Sequence, residues 1–354
     1  MSKVTIADVA LAAGLSKTAV SFALNDNWQG KLSREAAERA KEAAIKLGYR
    51  PNFAARTLRN QVTASVGFLS TEVSVTRFAM DMISGAISSA NELGHALLVG
   101  ETSPKQHVRD KDHAQVLDRV SFRDTALSAL LDRQIDGLVV AEMGAKQITN
   151  LDIPKNLPVV YLNCRTEEPC SSILPDEKSA GRELVNTLAS SQKVAKVLLL
   201  GSDQRLETDP SASITIGDRL TAIRTALRAH DIESLEIESP SWTSQFGYEG
   251  FINNFVHYKP DAVIALNDQI GFGVYQACLE MGLKVGEDLS VVSFDDDELS
   301  RLLRPALTTA SLPYEQMGRL AVELLLSGDL EKREYRVSMP IRHRDSIIKN
   351  RGRV

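Results

Sequence analysis

The sequence is short of cysteine, and the three it has form no pattern. Cys164, Cys170 and Cys278 are odd in number and lack the spacing of a metal site. That excludes a disulfide framework and points to reduced thiols in a cytoplasmic protein. No stretch approaches the roughly 18 consecutive apolar residues a membrane-spanning helix needs. The apolar stretch at the start holds Asp8, which argues against a signal peptide. Catalytic motifs are missing as well. There is no Gly-x-Ser-x-Gly, no P-loop and no carboxylate pair at acid/base spacing, so no enzyme, cofactor or metal is expected. Positive charge is in deficit overall, with a net of −5. Its distribution reverses the first impression that nucleic acid is excluded. Residues 1–60 hold ten Lys/Arg against five Asp/Glu, leaving 31 against 41 for the rest. A basic front on an acidic body is the asymmetry expected when one end meets phosphate.

What is present starts at Thr5. Thr5 and Asp8 form a capping box for a first helix, with Val9, Ala10 and Ala13 on one face. Gly14 ends it where positive φ costs little. Ser16 caps a second helix whose inward face is Ala19, Val20, Ala23 and Leu24. Small residues let the two helices cross closely, and Lys17, Thr18, Ser21, Phe22 and Asn25 are left outside. A helix-turn-helix that lays its second helix in a DNA major groove needs this arrangement, although any small helical bundle has two helices and a glycine. Ser33 caps a third helix to about Leu47, with Ala36, Ala40, Ala43 and Leu47 as its inward stripe. In Tyr49–Arg59, Asn52 can cap a helix of about seven residues, too short to be stable alone. Arg56 and Arg59 are placed to neutralise phosphates.

From Ala64 the texture changes to alternating strands and helices, which argues parallel sheets. A first series has strands over 65–70, 96–100, 137–141 and 159–162, with helices over 78–93 and 125–133. A second runs from Asp176, with strands over 196–201, 235–238, 262–266, 290–294 and 335–339. Its helices cover 177–190, 218–230, 245–255, 271–281 and 314–326. The charged stretch Thr102–Asp124 reads as an exposed insertion. The expected architecture is an all-α headpiece over 1–48, a hinge over 49–62, a two-lobed α/β body over 63–345 and a basic tail over 346–354. Lobe one comprises about 63–170 and 310–328, and lobe two about 176–307 and 331–347. The chain crosses between lobes near Asp176, Leu307 and Gly328. Ligands of open α/β sheets bind beyond the carboxyl ends of strands. Asn163, Asn267, Asp268 and Asp295 all follow strands and so face such a crevice. Asp268 and Asp296 fit a helix-capping role equally well.

The wording Thr5-Ile-Ala-Asp-Val-Ala…Ala-Gly-Leu-Ser…Val-Ser…Leu-Asn25 resembles the headpiece of the LacI/GalR family of bacterial repressors. Pro260-Asp-Ala-Val-Ile-Ala-Leu-Asn-Asp268, Asp288-Leu-Ser-Val-Val-Ser-Phe-Asp-Asp296 and Pro305-Ala-Leu-Thr-Thr309 extend the likeness over nearly the whole chain. The resemblance implies a periplasmic-binding-protein type I body and a dimer on palindromic operator DNA. It also implies a small-molecule effector, a sugar for preference. It makes the Tyr49 segment a hinge helix in which Leu58 wedges into the minor groove and Ala55 lets two hinges approach. It further implies effector roles for Arg219, Trp242, Thr71, Phe78 and Tyr314. Taken singly, Arg219 fits a lobe-bridging ion pair and Trp242 a core position. There are two departures from the family pattern. Phe22 stands where the family usually has a guanine-reading Arg, and Ser190–Lys196 replaces the usual Gly-His-x-x-Ile.

Overall fold

A computed structural model of the chain describes residues 4–50, 63–70, 76–101, 119–149, 151–191, 194–239, 241–328 and 330–349. The chain divides into two compact units, Met1–Thr63 and Ala64–Val354.

The first unit holds α1 (Ile6–Ala13), α2 (Lys17–Leu24) and α3 (Arg34–Lys46). The Asp8 carboxylate accepts from the Thr5 amide at 2.8 Å and its hydroxyl at 2.7 Å, which closes the first turn. Gly14 ends α1 at φ 64°, and Ser16 Oγ accepts from Ala19 N at 3.1 Å to start α2. The two axes meet at 98°, within the range of a DNA-binding helix-turn-helix. Val9, Val20, Ala23 and Ala40 form a thin core of mostly small side chains. The stripe of α3 differs from expectation. Ala36, Ala37, Ala40 and Ala44 are buried, whereas Leu47 is exposed. The helix stops at Lys46, so Leu47 lies beyond the face that Ala40 and Ala44 set.

The second unit has two sheets. In the first, β1 (Ser65–Ser70), β2 (Ala96–Glu101), β3 (Gly137–Gln147), β4 (Val159–Arg165), β5 (Ser172–Pro175) and β11 (Glu334–Val337) lie in the order 11-5-4-3-1-2, all parallel. Helices α4 (Arg77–Glu92) and α12 (Tyr314–Leu326) pack on one face, and α5 (Arg119–Leu131) on the other. The second sheet holds β6 (Lys196–Ser202), β7 (Glu233–Glu238), β8 (Ala262–Ala265), β9 (Ser290–Asp295), β10 (Thr308–Ser311) and β12 (Ile341–Arg342). Their order is 12-10-9-8-6-7, antiparallel only at the β10–β12 edge. Helices α6 (Glu177–Ser191) and α8 (Ile216–Ala229) cover one face, α9 (Ser244–Tyr258) and α10 (Asp268–Glu280) the other. The short α7 (Gln204–Thr208) and α11 (Glu298–Leu302) follow β6 and β9. In β6, Val197 and Leu199 enter one core while Leu198 and Leu200 enter the other. A parallel strand covered on both faces needs such a continuous apolar run.

The lobe boundaries require correction. Residues 310–311 were expected in lobe one, but β10 pairs with β9 in the second sheet. Residues 334–337, expected in lobe two, pair with β5 in the first. The chain therefore crosses at 175–177, 311–314 and 337–341. Strands β5, β10 and β12 escaped the periodicity reading because two to four residues hold too little pattern. Residues 51–62 of the hinge, Thr71, residues 102–118 and residues 350–354 lie outside the described residues. Among the described residues no single helix is long and apolar enough to cross a membrane.

Candidate functional site

On the headpiece, Thr5, Ser16, Lys17, Thr18 and Asn25 are exposed, and Ser21 and Phe22 are half-buried. They ring the start and outer face of α2. Two are held differently from a free reading face. The Lys31 ammonium sits 4.4 Å from the Phe22 ring centroid, and Asn25 Nδ2 donates to the Ser21 carbonyl at 2.7 Å. The candidates Asn52, Ala55, Arg56, Leu58 and Arg59 lie outside the described residues.

In the body, a cavity of about 480 Å³ opens between the carboxyl ends of the two sheets. Phe78, Asn163, Arg219, Trp242, Asp295 and Tyr314, read from the sequence, all line it. Asn163 lies within β4, two residues before its end, and Asp295 closes β9, and both have left-handed backbone, φ 54° and 102°. Such strain costs on the order of 1–3 kcal/mol and clusters at binding sites. Asn163 Nδ2 donates to the Glu142 carbonyl at 2.9 Å and the Tyr314 hydroxyl at 3.3 Å. Its Oδ1 is buried without a partner among the described residues, an acceptor that calls for a donor from outside the protein. Tyr314 meets Phe78 edge to face at 6.1 Å, and burial holds its phenol above the usual range. Trp242 is fixed by its indole N–H, which donates to the Gly201 carbonyl at 2.8 Å.

Arg219 is the most constrained of the set. It is 2% exposed. Its Nε and Nη2 each donate to Glu177 at 2.7 Å, and Nη1 donates to the Leu266 carbonyl at 2.7 Å. The guanidinium carbon lies 4.2 Å from the Phe294 ring centroid. Burial works against the charge, but Glu177 outweighs it and holds the guanidinium above its ordinary range. The pair joins α6 to α8 within lobe two, so it is not a bridge between lobes. Of the five guanidinium donors, two remain, and Asp295 Oδ1 stands 3.9 Å from Nη2. Burial pushes the Asp295 carboxyl up to about 8, against the pull of Arg219.

Asn267 and Asp268 do not reach the cavity. Asn267 Oδ1 accepts from Ile270 N at 2.8 Å and caps α10. The Asp268 carboxyl is 1% exposed, accepts from Ser293 Oγ, and accepts from Asp297 N at 2.6 Å. Burial pushes it up to about 7. It ties α10 to the loop after β9. Asp296 is likewise structural, accepting from Arg344 Nη2 at 2.5 Å and Ser311 Oγ at 3.1 Å. Glu177, Lys146 and the Ser211–Ser213 loop line the cavity but were not read from the sequence. Glu177 carried a signal, an acid at a helix start just after the Asp176 crossover. Lys146 carried none.

A helix-turn-helix unit joined to a two-lobed parallel-sheet body with an inter-lobe cavity defines the class of ligand-responsive DNA-binding regulators. Residues 5–52 match the model of the bacterial regulatory proteins of the lacI family, and residues 190–347 that of the periplasmic binding protein-like domain. The chain is 30% identical to the HTH-type transcriptional regulator AscG of Escherichia coli K12, over 97% of this chain and 98% of that protein. It is 25% identical to the ribose operon repressor of the same organism, over 91% and 92%. Its fold is that of the lac repressor dimer solved with operator and the anti-inducer ONPF, with TM-score 0.75, 23% identity, and coverage of 98% and 100%. The chain belongs to the lacI family of bacterial regulatory proteins. It is a DNA-binding transcription regulator and not an enzyme.

Proposed function

We propose that the protein is a repressor that binds palindromic operator DNA as a homodimer and releases or tightens it when a hydroxyl-rich small molecule, a sugar or sugar derivative, fills the inter-lobe cavity. The observation that carries the effector reading is the buried, unpartnered Asn163 Oδ1 in a cavity that the Arg219 guanidinium and the Asp295 carboxyl also line. Acceptor, donor and ionisable groups set around two aromatic rings suit a ring that presents several hydroxyls. The relatives named for sugar operons support the same class. Apolar side chains left in solvent, Met80 and Ile87 on α4, Leu279 on α10 and Leu302 on α11, support association of two copies. Lys17, Thr18, Ser21 and Phe22 are assigned to the major groove, with Asn25, Thr5 and Ser16 beside the phosphates. The segment Asn52–Arg59 is assigned to the minor groove.

Selection of sites from random DNA tests the DNA reading. The wild type should recover a palindrome. Phe22→Arg should shift one half-site position towards guanine by about 1–3 kcal/mol, because Arg pairs bidentately with guanine whereas Phe only meets a thymine methyl. Identical half-sites from both proteins would remove Phe22 from base reading.

A further inference from the structure

Strand β3 outruns its partner β1 at Ala141 and continues on β4 as far as Gln147, with Lys146 at the cavity. Its register on β4 jumps between Ala141, opposite Leu162, and Lys146, opposite Cys164. The slack is taken up by a bulge in which Gly144 and Ala145 have φ 87° and 48°. A left-handed alanine persists only where its surroundings over-determine it, and here the other lobe does so. The Ala145 carbonyl accepts from Ile214 N at 2.7 Å, and Gln147 N donates to the Pro210 carbonyl at 2.8 Å. Lys146 is thus clamped on both sides by main-chain bonds that reach lobe two.

Its side chain lines the cavity beside Ser211 and Ser213, half-buried. The other charged groups of the lining are already engaged. Arg219 is held by Glu177, and Asp295 stands against Arg219. Asp203 Oδ1 accepts from Arg205 N at 2.8 Å, and the Arg205 side chain lies 3.7 Å from Asp209. Lys146 makes no hydrogen bond or ion pair among the described residues. A half-buried ammonium fixed at a strained bulge, with no ion pair among the described residues, is placed to meet an anion in the cavity.

We infer that the effector carries an anionic group, a phosphate ester or a carboxylate, on its hydroxylated frame, and that Lys146 binds it. The inference rests on the inter-lobe cavity being the effector site. In this arrangement the hydroxyls meet Asn163, Arg219 and Asp295, while the anion lies under the Lys146 ammonium with the Ser213 hydroxyl, which accepts from Thr215 N and Ile216 N and keeps its own proton, as a further donor.

Calorimetry on the full chain tests it, with matched probes: aldoses, their terminal phosphates and their aldonic acids. An anionic member should bind at least about tenfold tighter than its neutral parent, with the gap narrowing as salt rises. Lys146→Gln should remove about tenfold to a hundredfold of that affinity while leaving the neutral parent within about twofold, and Lys146→Arg should restore most of it. A neutral sugar that binds as tightly as its phosphate and acid overturns the inference and leaves the effector site standing. So does an anionic preference that survives Lys146→Gln. If no probe binds and none alters operator affinity, the effector reading falls, and the role of Lys146 with it.

Discussion

At the scale of single residues, the body depends on ionisable groups whose burial matters more than their charge. Arg219 and Glu177 are both nearly inaccessible and hold each other bidentately. Removing either leaves the other as an uncompensated buried charge, typically a loss of about 3–5 kcal/mol. Arg219→Ala would therefore mix loss of effector binding with loss of fold. Asp268 offers a cleaner reading. Burial pushes its carboxyl up to about 7 in the folded body, from an ordinary 3.8. Between those values the unfolded chain is ionised and the folded one protonated, so unfolding releases a proton. Stability from this group is then full below about pH 4, falls by up to about 1.4 kcal/mol per pH unit as pH rises, and levels off above about 7. Asp268→Asn keeps an acceptor for Asp297 N, and its amide N–H can donate to a rotated Ser293 hydroxyl in place of the bond that Ser293 Oγ gives the carboxyl, without the titration. Urea unfolding at a series of pH values should show the mutant losing part of the wild-type slope between pH 4.5 and 7. Parallel slopes would mean that Asp268 is ionised in the fold.

At the scale of elements, each lobe joins two helices through reciprocal glycines. A Cβ on Gly85 of α4 would lie 1.9 Å from the Glu315 carbonyl oxygen, and one on Gly318 of α12 would lie 2.0 Å from that of Met82. Lobe two repeats the device, with Gly247 of α9 against Ile270 O at 2.1 Å and Gly273 of α10 against Ser244 O at 1.9 Å. The obstacles are backbone and cannot swing aside. Gly318→Ala should cost about 1–3 kcal/mol as overpacking, despite alanine's better helix propensity. A lowered urea midpoint at unchanged slope would register it, and an unchanged midpoint would show that the helices can part freely. Nothing in the sequence distinguishes these glycines, because each is fixed by a contact with a different helix, far off in the chain for α4 and α12 and the next helix along for α9 and α10. The headpiece lies at the other extreme. Thr5, Asp8, Gly14 and Ser16 act within four residues of themselves, so its corner is legible from local chemistry alone. Asn163 and Asp295 are legible because a polar residue at a strand end faces the crevice whatever the long-range partners. Asn267 and Asp268 stand in the same kind of position, yet capping of α10 and the loop after β9 claim them. Glu177 escapes because its meaning lies in Arg219, 42 residues on, and residues 334–337 escape because only pairing with β5 assigns so short and polar a strand to lobe one.

At the scale of the whole molecule, a basic headpiece answers to an acidic body, and the proposed mechanism requires a free energy shared between them. The cavity lies beside the crossovers at 175–177 and 311–314, which supply Pro175, Glu177, Leu312 and Tyr314 to its wall. A ligand that draws the lobes together therefore acts on the segments that set their angle. In the proposed mechanism such closure would shift the first lobes of the dimer relative to one another, and so govern whether two hinge segments meet on the operator. Because the coupling is thermodynamic, effector must change operator affinity by the same factor as operator changes effector affinity, commonly about 5–150-fold. Leu58, the hinge residue assigned to the minor groove, gives the handle. Unstacking a base step costs a few kcal/mol, which only the specific complex recovers through added contacts. Leu58→Ala should therefore weaken the selected operator far more than random DNA at fixed salt. It should leave effector affinity without DNA unchanged and bring the coupling factor towards one. Operator titrations with and without effector, and effector titrations with and without operator, measure all three quantities on the same protein. Equal losses on operator and random DNA, with the coupling factor intact, would show that the signal from cavity to headpiece does not pass through the hinge.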